Sequence, residues 1–569
     1  MDDYKAWLPP VNEDWSLPLP HFPTRWQALL LRLWEMVPAH RLASLLGTDE
    51  AAVRAAADAM ALPPQKDTAV WRARGYITIL RAVWPLLPYE QILELLELDR
   101  AELAFILKED DFLSHKFGGA KFPCAPVRWT PLTPEQEAET ARIAETVRTR
   151  LRIYDAEDIS APFDFFSEPV RRRIPDPPPE NCAVLDDSWA VDDRTGDESC
   201  AAYAADFRED CAAVWGLSLR AAAQESRRIL VRLDEALARE PAEYHELDVR
   251  PDGAELRAAH PLGVVRGFGA LRTLMDASGG PYLPCGRRTR RPAFDARFIY
   301  SYCGLYGSPL DVDTAVSFPD ALLREYARVG ANGVWLQGVL YKLTPFPFDP
   351  ALSEGWEERL RRLRGLIARA RRYGLRVYLY INEPRAMPHA FFDRYPELRG
   401  FERGELCSLC TSHPAVQAYL RDNIRFLCTH APGLGGFFTI SVSENQTNCY
   451  SHATTETQTC PRCRLRRPEE VVAEVNSIIA DAAHEADPSI RTFVWTWGWR
   501  VFRGFSDEAR LRAIELLSPN CIVQSTAEET LDIEVGGIRS SVVDYTMSQI
   551  PPSAQSVENW RRARATGHA

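Results

Sequence analysis

The chain has 569 residues, which at about 150 residues per domain is room for three or four domains. Hydrophobic residues at 46% and charged residues at 26% are ordinary globular values and exclude a disordered, collagenous or disulfide-stapled chain. The net charge of −12 argues against a general nucleic-acid or anionic-membrane binder.

The first segment, MDDYKAWLPP, has neither a basic stretch nor an apolar core, so no signal peptide is expected. No apolar run approaches the ~18 residues of a membrane span. With 13 cysteines and no export signal, a cytoplasmic chain with reduced thiols is expected, and clustered thiols become metal-ligand candidates.

Residues 1–120 read as helical and repeat with a period of 50: Trp34 with Trp84, Pro38 with Pro88, Leu45–Leu46 with Leu95–Leu96, Asp49 with Asp99. Asp49 and Asp99 stand where helix N-caps belong. Paired short helices suggest a helix-turn-helix, but a recognition helix needs cations for phosphate contacts. TDEAAVRAAADAM and DRAELAFILKEDD carry none to spare, so packing or partner docking is the expected role, with self-association as one form of it. Residues 121–180 are proline-rich, end in RRRIPDPPPEN, and read as a stiff linker.

Residues 181–290 form an α/β unit. AVLDDSWAV and RRILVRL read as strands around a helix near 200–215. In YHELDVRPDGAELRAA, Leu247 and Val249 alternate with polar residues and Pro251-Asp252-Gly253 makes a hairpin turn. HPLGVVRGFGALRTLMDAS then reads as a helix packed on that sheet.

From Arg297 the pattern alternates strand and helix about every 40 residues. Strands are expected at 297–304, 333–340, 375–382, 435–443, 491–498, 520–525 and 540–545. Continuous apolar runs joined by helices call for parallel strands buried on both faces, with right-handed crossovers. The expected architecture is a (β/α)8-type, TIM-like barrel over 291–569. Only seven strands are counted, so the eighth is expected beyond the sequence given.

In such barrels chemistry occurs at the C-terminal strand ends. Those ends carry Tyr300, Tyr302 and Cys303, Gln337, Asn382-Glu383-Pro384-Arg385, Ser443-Glu444-Asn445, the tryptophans Trp495, Trp497 and Trp499, Glu528-Glu529, and Asp544-Tyr545. Carboxylates and flat aromatic faces at one mouth are what glycoside hydrolysis needs: an acid for the leaving oxygen, a group to stabilise C1, a platform for the ring. Glu444 follows an apolar strand directly and has uncharged neighbours, so a raised pKa suited to a general acid is expected. Glu383, beside Arg385, and Asp544 are the other carboxylate candidates. Tyr302, Gln337, Asn382, Glu383 and Tyr545 are candidate sugar contacts, with Trp495, Trp497 and Trp499.

The segment PAEYHELDVRPDGAELRAAHPLGVVRGFGALRTLM, followed by RRPAFDARFIYS, resembles the junction of glycoside hydrolase family 20 and its clan. There a small zincin-like α/β domain leads into the first barrel strand, and Pro292, Phe294 and Arg297 stand near the corresponding places. The resemblance covers roughly 181–569. It implies a β-N-acetylhexosaminidase whose substrate's own 2-acetamido carbonyl attacks C1, giving an oxazolinium ion, with Glu444 as acid and then base. The family has an Asp immediately before the acid; here that residue is Ser443, and Asn445 follows. The group that orients the acetamido N–H therefore stays open among Asn445, Asp544 and Glu383. The three tryptophans resemble the aromatic wall that wraps the acetamido methyl in that family; core packing is the other reading, and one or two of them are expected to be functional. GalNAc and GlcNAc are equally compatible targets. A two-carboxylate glycosidase using Glu444 with Glu383 or Asp544, or a non-catalytic carbohydrate-binding protein, are the alternatives.

Just beyond Glu444, Cys449-x2-His452-x7-Cys460-x2-Cys463 has the spacing of a zinc site, with Cys407-x2-Cys410 available from the preceding loop. A zinc there is expected to be structural, and no cofactor is expected for the chemistry.

Overall fold

The computed structural model describes residues 7–11, 19–65, 67–110, 113–117, 119–150, 174, 177–221, 227–300, 309–442, 445–499, 505–526, 531–535, 537–542 and 552–568. Two three-helix units stand first: Arg25–Leu33, Ala39–Leu46, Glu50–Ala59, and Tyr76–Val83, Tyr89–Leu96, Arg100–Glu109. Asp49 accepts from Ala52 N at 2.8 Å, and Asp99 forms a full capping box with Glu102. Each capped helix packs its apolar face into one shared core containing both Trp34 and Trp84.

The proline-rich stretch after residue 120 departs from a free linker. Pro134–Arg150 is a helix, with Thr140, Ala144 and Val147 buried at i, i+4 and i+7 against the helical unit. Gln27 Nε2 donates to Thr140 Oγ1 at 2.7 Å, and Val127 N donates to Gln91 Oε1 at 2.7 Å. Pro134 opens the helix at a position that needs no N–H donor, so proline there starts structure rather than ending it.

The second unit is a six-stranded mixed sheet. Ala190–Asp193, Arg228–Leu233 and Gly253–Ala258 run parallel, and Gly253–Ala258 turns back on His245–Arg250 with Arg250 opposite Gly253. The expected strand AVLDDSWAV is two pieces, Cys182–Val184 and Ala190–Asp193, which pair in different sheets. Helices Glu198–Trp215 and Pro261–Ala277 bury their apolar faces on the larger sheet. Gly267 permits close approach, because a Cβ there would stand 2.2 Å from Leu256.

Arg297 opens the third unit and is bound back to the second. It and Arg266 share the two oxygens of Glu243, while Arg266 also donates to the carbonyls of Ala327 and Gly374 at 3.0 and 3.1 Å. This buried fork fixes the junction by charge and geometry together.

The third unit is a parallel sheet in chain order: Phe298–Tyr300, Gly333–Gly338, Arg376–Ile381, Gly436–Ile440, Arg491–Trp495 and Cys521–Gln524. Six of the seven expected strands are present. The seventh is corrected: Ile538–Val542 pairs antiparallel with Leu531–Val535 in a separate hairpin. Its centre, Arg539-Ser540-Ser541, is polar rather than apolar, and it folds on its immediate neighbour in sequence, which is the lower-entropy partner. Among the described residues the sheet is a half-barrel; no pairing joins its first strand to its sixth. Helices Asp320–Arg328, Trp356–Arg372, Pro414–His430, Pro468–Ala486 and Asp507–Leu516 lie between successive strands. Strand parity sorts the core. Leu336, Val377, Leu379 and Phe437 face the helices; Trp335, Tyr378, Tyr380, Phe438 and Phe493 form an aromatic inner layer. No helix among the described residues is long and apolar enough to cross a membrane.

Candidate active site

Parity carries the inner layer upward to the C-terminal strand ends. Asn382 sits one residue past the third strand and is fully buried. In the amide orientation that satisfies both of its ends, its oxygen accepts from Asn445 Nδ2 at 3.1 Å and from Tyr380 Oη at 2.7 Å. Its nitrogen then donates to Ile440 O at 3.1 Å. The residue after Glu444 is thus tied to the third strand across the mouth. Ser443 and Glu444 themselves lie outside the described residues, as do Tyr302, Cys303, Glu528, Glu529, Asp544 and Tyr545.

Of the three tryptophans expected at the mouth, two stand with the aromatic inner layer. Trp495 and Trp497 belong to the inner layer, their rings 6.3 Å apart. The Trp495 indole nitrogen is buried without a hydrogen-bond partner among the described residues. Trp499 is corrected: it is wholly buried in a different cluster, beside Phe505, with its Nε1 donating to Ser441 Oγ at 3.3 Å. The turn after the fifth strand breaks the two-residue period, so equal spacing no longer means the same face. Below the mouth, Trp335 stacks on Tyr300 at 3.8 Å and meets Phe438 edge-on at 4.8 Å.

Two expected sugar contacts already have partners within the protein. Gln337 Nε2 donates to Glu109 O at 2.5 Å. The Glu383 carboxylate is buried, accepting from Leu340 N at 2.7 Å and Arg385 N at 3.2 Å. Burial is the main reason its pKa is pushed up to about 7, against the pull of Arg385 and the two N–H groups. Arg385 Nε stands 2.9 Å from Glu109 Oε2, and Tyr341 Oη donates to Glu109 Oε1 at 3.4 Å. Glu109 ends the last helix of the repeat, so a buried charge cluster joins the helical unit to the ends of the second and third strands. Sequence reasoning missed Glu109: it lies 276 positions from Arg385, and nothing local marks it as a partner.

Beneath the loop that follows the fourth strand, Cys410, Cys449, Cys460 and Cys463 are all buried, with their sulfurs within 4.8 Å of one another. These four thiols are disposed to hold a metal ion. The expected ligand set is corrected by one member. His452 is outside the group, with Nδ1 3.3 Å from Ser451 Oγ, and Cys410 takes the fourth place. Cys407 points elsewhere, toward Ser408 O, and burial pushes its pKa up to about 11. Cys410, just past the second hairpin strand, joins the loop cysteines, whereas Cys407 lies in the large core on the helix side of the barrel sheet.

No family model matches the chain, and no curated protein sequence matches it. Among solved structures, similar ones include the β-N-acetylhexosaminidase of Bacteroides fragilis, 16% identical, covering 61% of this chain and 67% of that one with a TM-score of 0.39. The family 20 β-N-acetylhexosaminidase of Streptomyces coelicolor is 13% identical, covering 62% of this chain and 74% of that one at 0.41. The chitobiase of Flavobacterium johnsoniae is 16% identical over 61% of this chain, with a TM-score of 0.41; the match spans 53% of that enzyme's length.

Proposed function

We propose that the chain is a glycoside hydrolase, a divergent retaining exo-β-N-acetylhexosaminidase acting by substrate assistance. Glu444 protonates the leaving glycosidic oxygen while the substrate's acetamido carbonyl oxygen attacks C1. The oxazolinium ion then takes water at C1, and Glu444, now a carboxylate, receives the water's proton. Asn445 orients the acetamido group, and Trp495 and Trp497 offer the aromatic wall. Asp544, as a further catalytic group, and Tyr545, as a sugar contact, are the remaining candidates of this reading. GalNAc and GlcNAc glycosides are the substrate class. In this reading the chemistry uses no cofactor, and a metal held by the four thiols is structural.

The observation that carries the reading is the Asn382–Asn445 pair above an aromatic inner layer, at the strand ends where barrel enzymes do their chemistry. A neutral amide fixed by a second amide has a defined direction and needs no charge to polarise the acetamido group. Glu383 gives little support to a two-carboxylate mechanism, because both of its oxygens already serve backbone donors.

The test is hydrolysis of aryl β-GlcNAc, β-GalNAc and β-galactoside substrates. Glu444→Gln should lose ~10²–10⁴-fold on the amino sugars, and a thiazoline analogue should inhibit the parent enzyme. Full activity in that variant, or cleavage confined to sugars without an acetamido group, would refute the proposal.

A further inference from the structure

We infer that Cys410, Cys449, Cys460 and Cys463 form a tetrathiolate zinc centre that locks the loop bearing Glu444 and Asn445 onto the hairpin beside it. Four sulfurs at ~2.3 Å from a tetrahedral zinc stand about 3.8 Å apart. The Cys410 sulfur lies 3.8 Å from that of Cys463 and 3.5 Å from that of Cys460. A disulfide needs ~2.05 Å, and none of these cysteines is so paired. The donor set is closed and buried, with no open position for water or substrate, which is the form of a structural site rather than a catalytic one.

The four ligands come from two places. Cys410 follows the hairpin Arg399–Arg403/Leu406–Leu409; the other three lie in the long loop between the fourth strand and helix Pro468–Ala486. The loop is built to present them. Gln458 Nε2 donates to Cys449 O at 2.8 Å, Cys460 N donates to Gln458 Oε1 at 3.0 Å, and Tyr450 Oη donates to Cys463 O at 3.0 Å. Ser412 Oγ stands 3.4 Å from Cys463 Sγ as an outer partner that steadies a ligand sulfur. Gly400 lets the hairpin backbone press on the cluster, since a Cβ there would stand 2.6 Å from Cys449 Sγ.

From Cys449 the order passes back toward the mouth. Asn448 Nδ2 donates to Ser441 O at 2.7 Å, and Gln446 Nε2 donates to Phe401 O and Ser408 Oγ at 2.7 and 3.0 Å. Ala386 N donates to Gln446 O at 3.1 Å, tying the same loop to the end of the third strand. Asn445 directly precedes Gln446, so a centre four residues beyond Asn445 holds the segment in which it stands. The metal site stands on the thiols alone; its effect on chemistry rests on the proposed role of Glu444.

The full-length protein should contain one zinc per chain by elemental analysis. Cobalt exchanged into it should show the visible absorption of tetrahedral cobalt thiolate. Cys410→Ser and Cys463→Ser should lose the metal and that absorption, whereas His452→Ala and Cys407→Ser should keep both. Stripping zinc from the unaltered protein with a chelator should raise the rate of tryptic cleavage within 451–467 at least about tenfold, and zinc should restore resistance. Elemental analysis, cobalt exchange and the chelator experiment on the unaltered protein need no substituted chain to fold. A purified protein that holds neither zinc nor cobalt, or one in which His452→Ala loses the metal as Cys410→Ser does, overturns the centre. Metal present with no glycosidase activity leaves the centre standing and refutes the proposed function instead. If activity is present and unchanged by reversible zinc removal, the link to the catalytic loop fails.

Discussion

Glu109→Ala removes the carboxylate that the helical unit inserts beside Arg385. Both side chains are almost wholly buried, and Arg385 Nε lies 2.9 Å from Glu109 Oε2. Their charge centres, ~4 Å apart, attract by ~4 kcal/mol at an effective dielectric of about 20. Desolvation offsets most of that in the intact pair, so the pair adds little net stability. Breaking it is another matter, because the guanidinium stays buried and loses its partner, which costs ~3–5 kcal/mol. Glu383 remains near Arg385 and keeps part of the compensation, which places the expected loss near the lower figure, ~3 kcal/mol. Glu109→Leu with Arg385→Met leaves no charge to strand and should recover most of the loss. Urea unfolding read by tryptophan fluorescence measures both. Limited proteolysis checks the location, since early release of the N-terminal helices is expected only in the single variant. A single variant within ~0.5 kcal/mol of the parent, or a double variant as unstable as the single, would refute the reasoning.

Glu383 makes stability depend on pH with an unusual sign. Its folded pKa is about 7 against an ordinary 4.5, so between those values the folded protein holds a proton that the unfolded chain has released. Stability therefore falls as pH rises through that window, by on the order of 3 kcal/mol from this one group. In Glu383→Gln that fall should disappear, and equal pH profiles of unfolding in the two proteins would show the carboxyl to be unperturbed. Gly436→Ala should cost at least ~3 kcal/mol. Its φ of 145° is foreign to alanine, and a Cβ would stand 1.8 Å from the carbonyl oxygen of Arg491 on the neighbouring strand. A thermal midpoint unchanged by that substitution would mean the fourth and fifth strands do not approach as described.

Local signals carried far in this chain. The 50-residue repeat, the caps at Asp49 and Asp99, the Asp-Gly hairpin and six of the barrel strands are each written within a few dozen residues. Hydrophobic period and turn chemistry act at that range, so reading them needs no tertiary knowledge. The cysteine spacing after Glu444 likewise announced a metal-type cluster. Its fourth member depended on which of Cys410 and His452 the folded loop brings inward, and spacing alone favoured the nearer residue.

Tertiary structure decided the rest, for one physical reason: contacts between distant segments leave no periodic trace. Packing separates Trp495 and Trp497, in the inner layer, from Trp499, because alternation loses its force at the turn before Trp499. Composition made 121–180 a linker, whereas Thr140 and Val147 found buried partners on the repeat. The seventh strand was expected from its place in the strand–helix alternation, but its described part pairs with the neighbouring segment instead. Glu383, Arg385 and Gln337 stood at strand ends where substrate contacts belong. Only the arrival of Glu109 from the far end of the chain made them the seam between the helical unit and the barrel sheet.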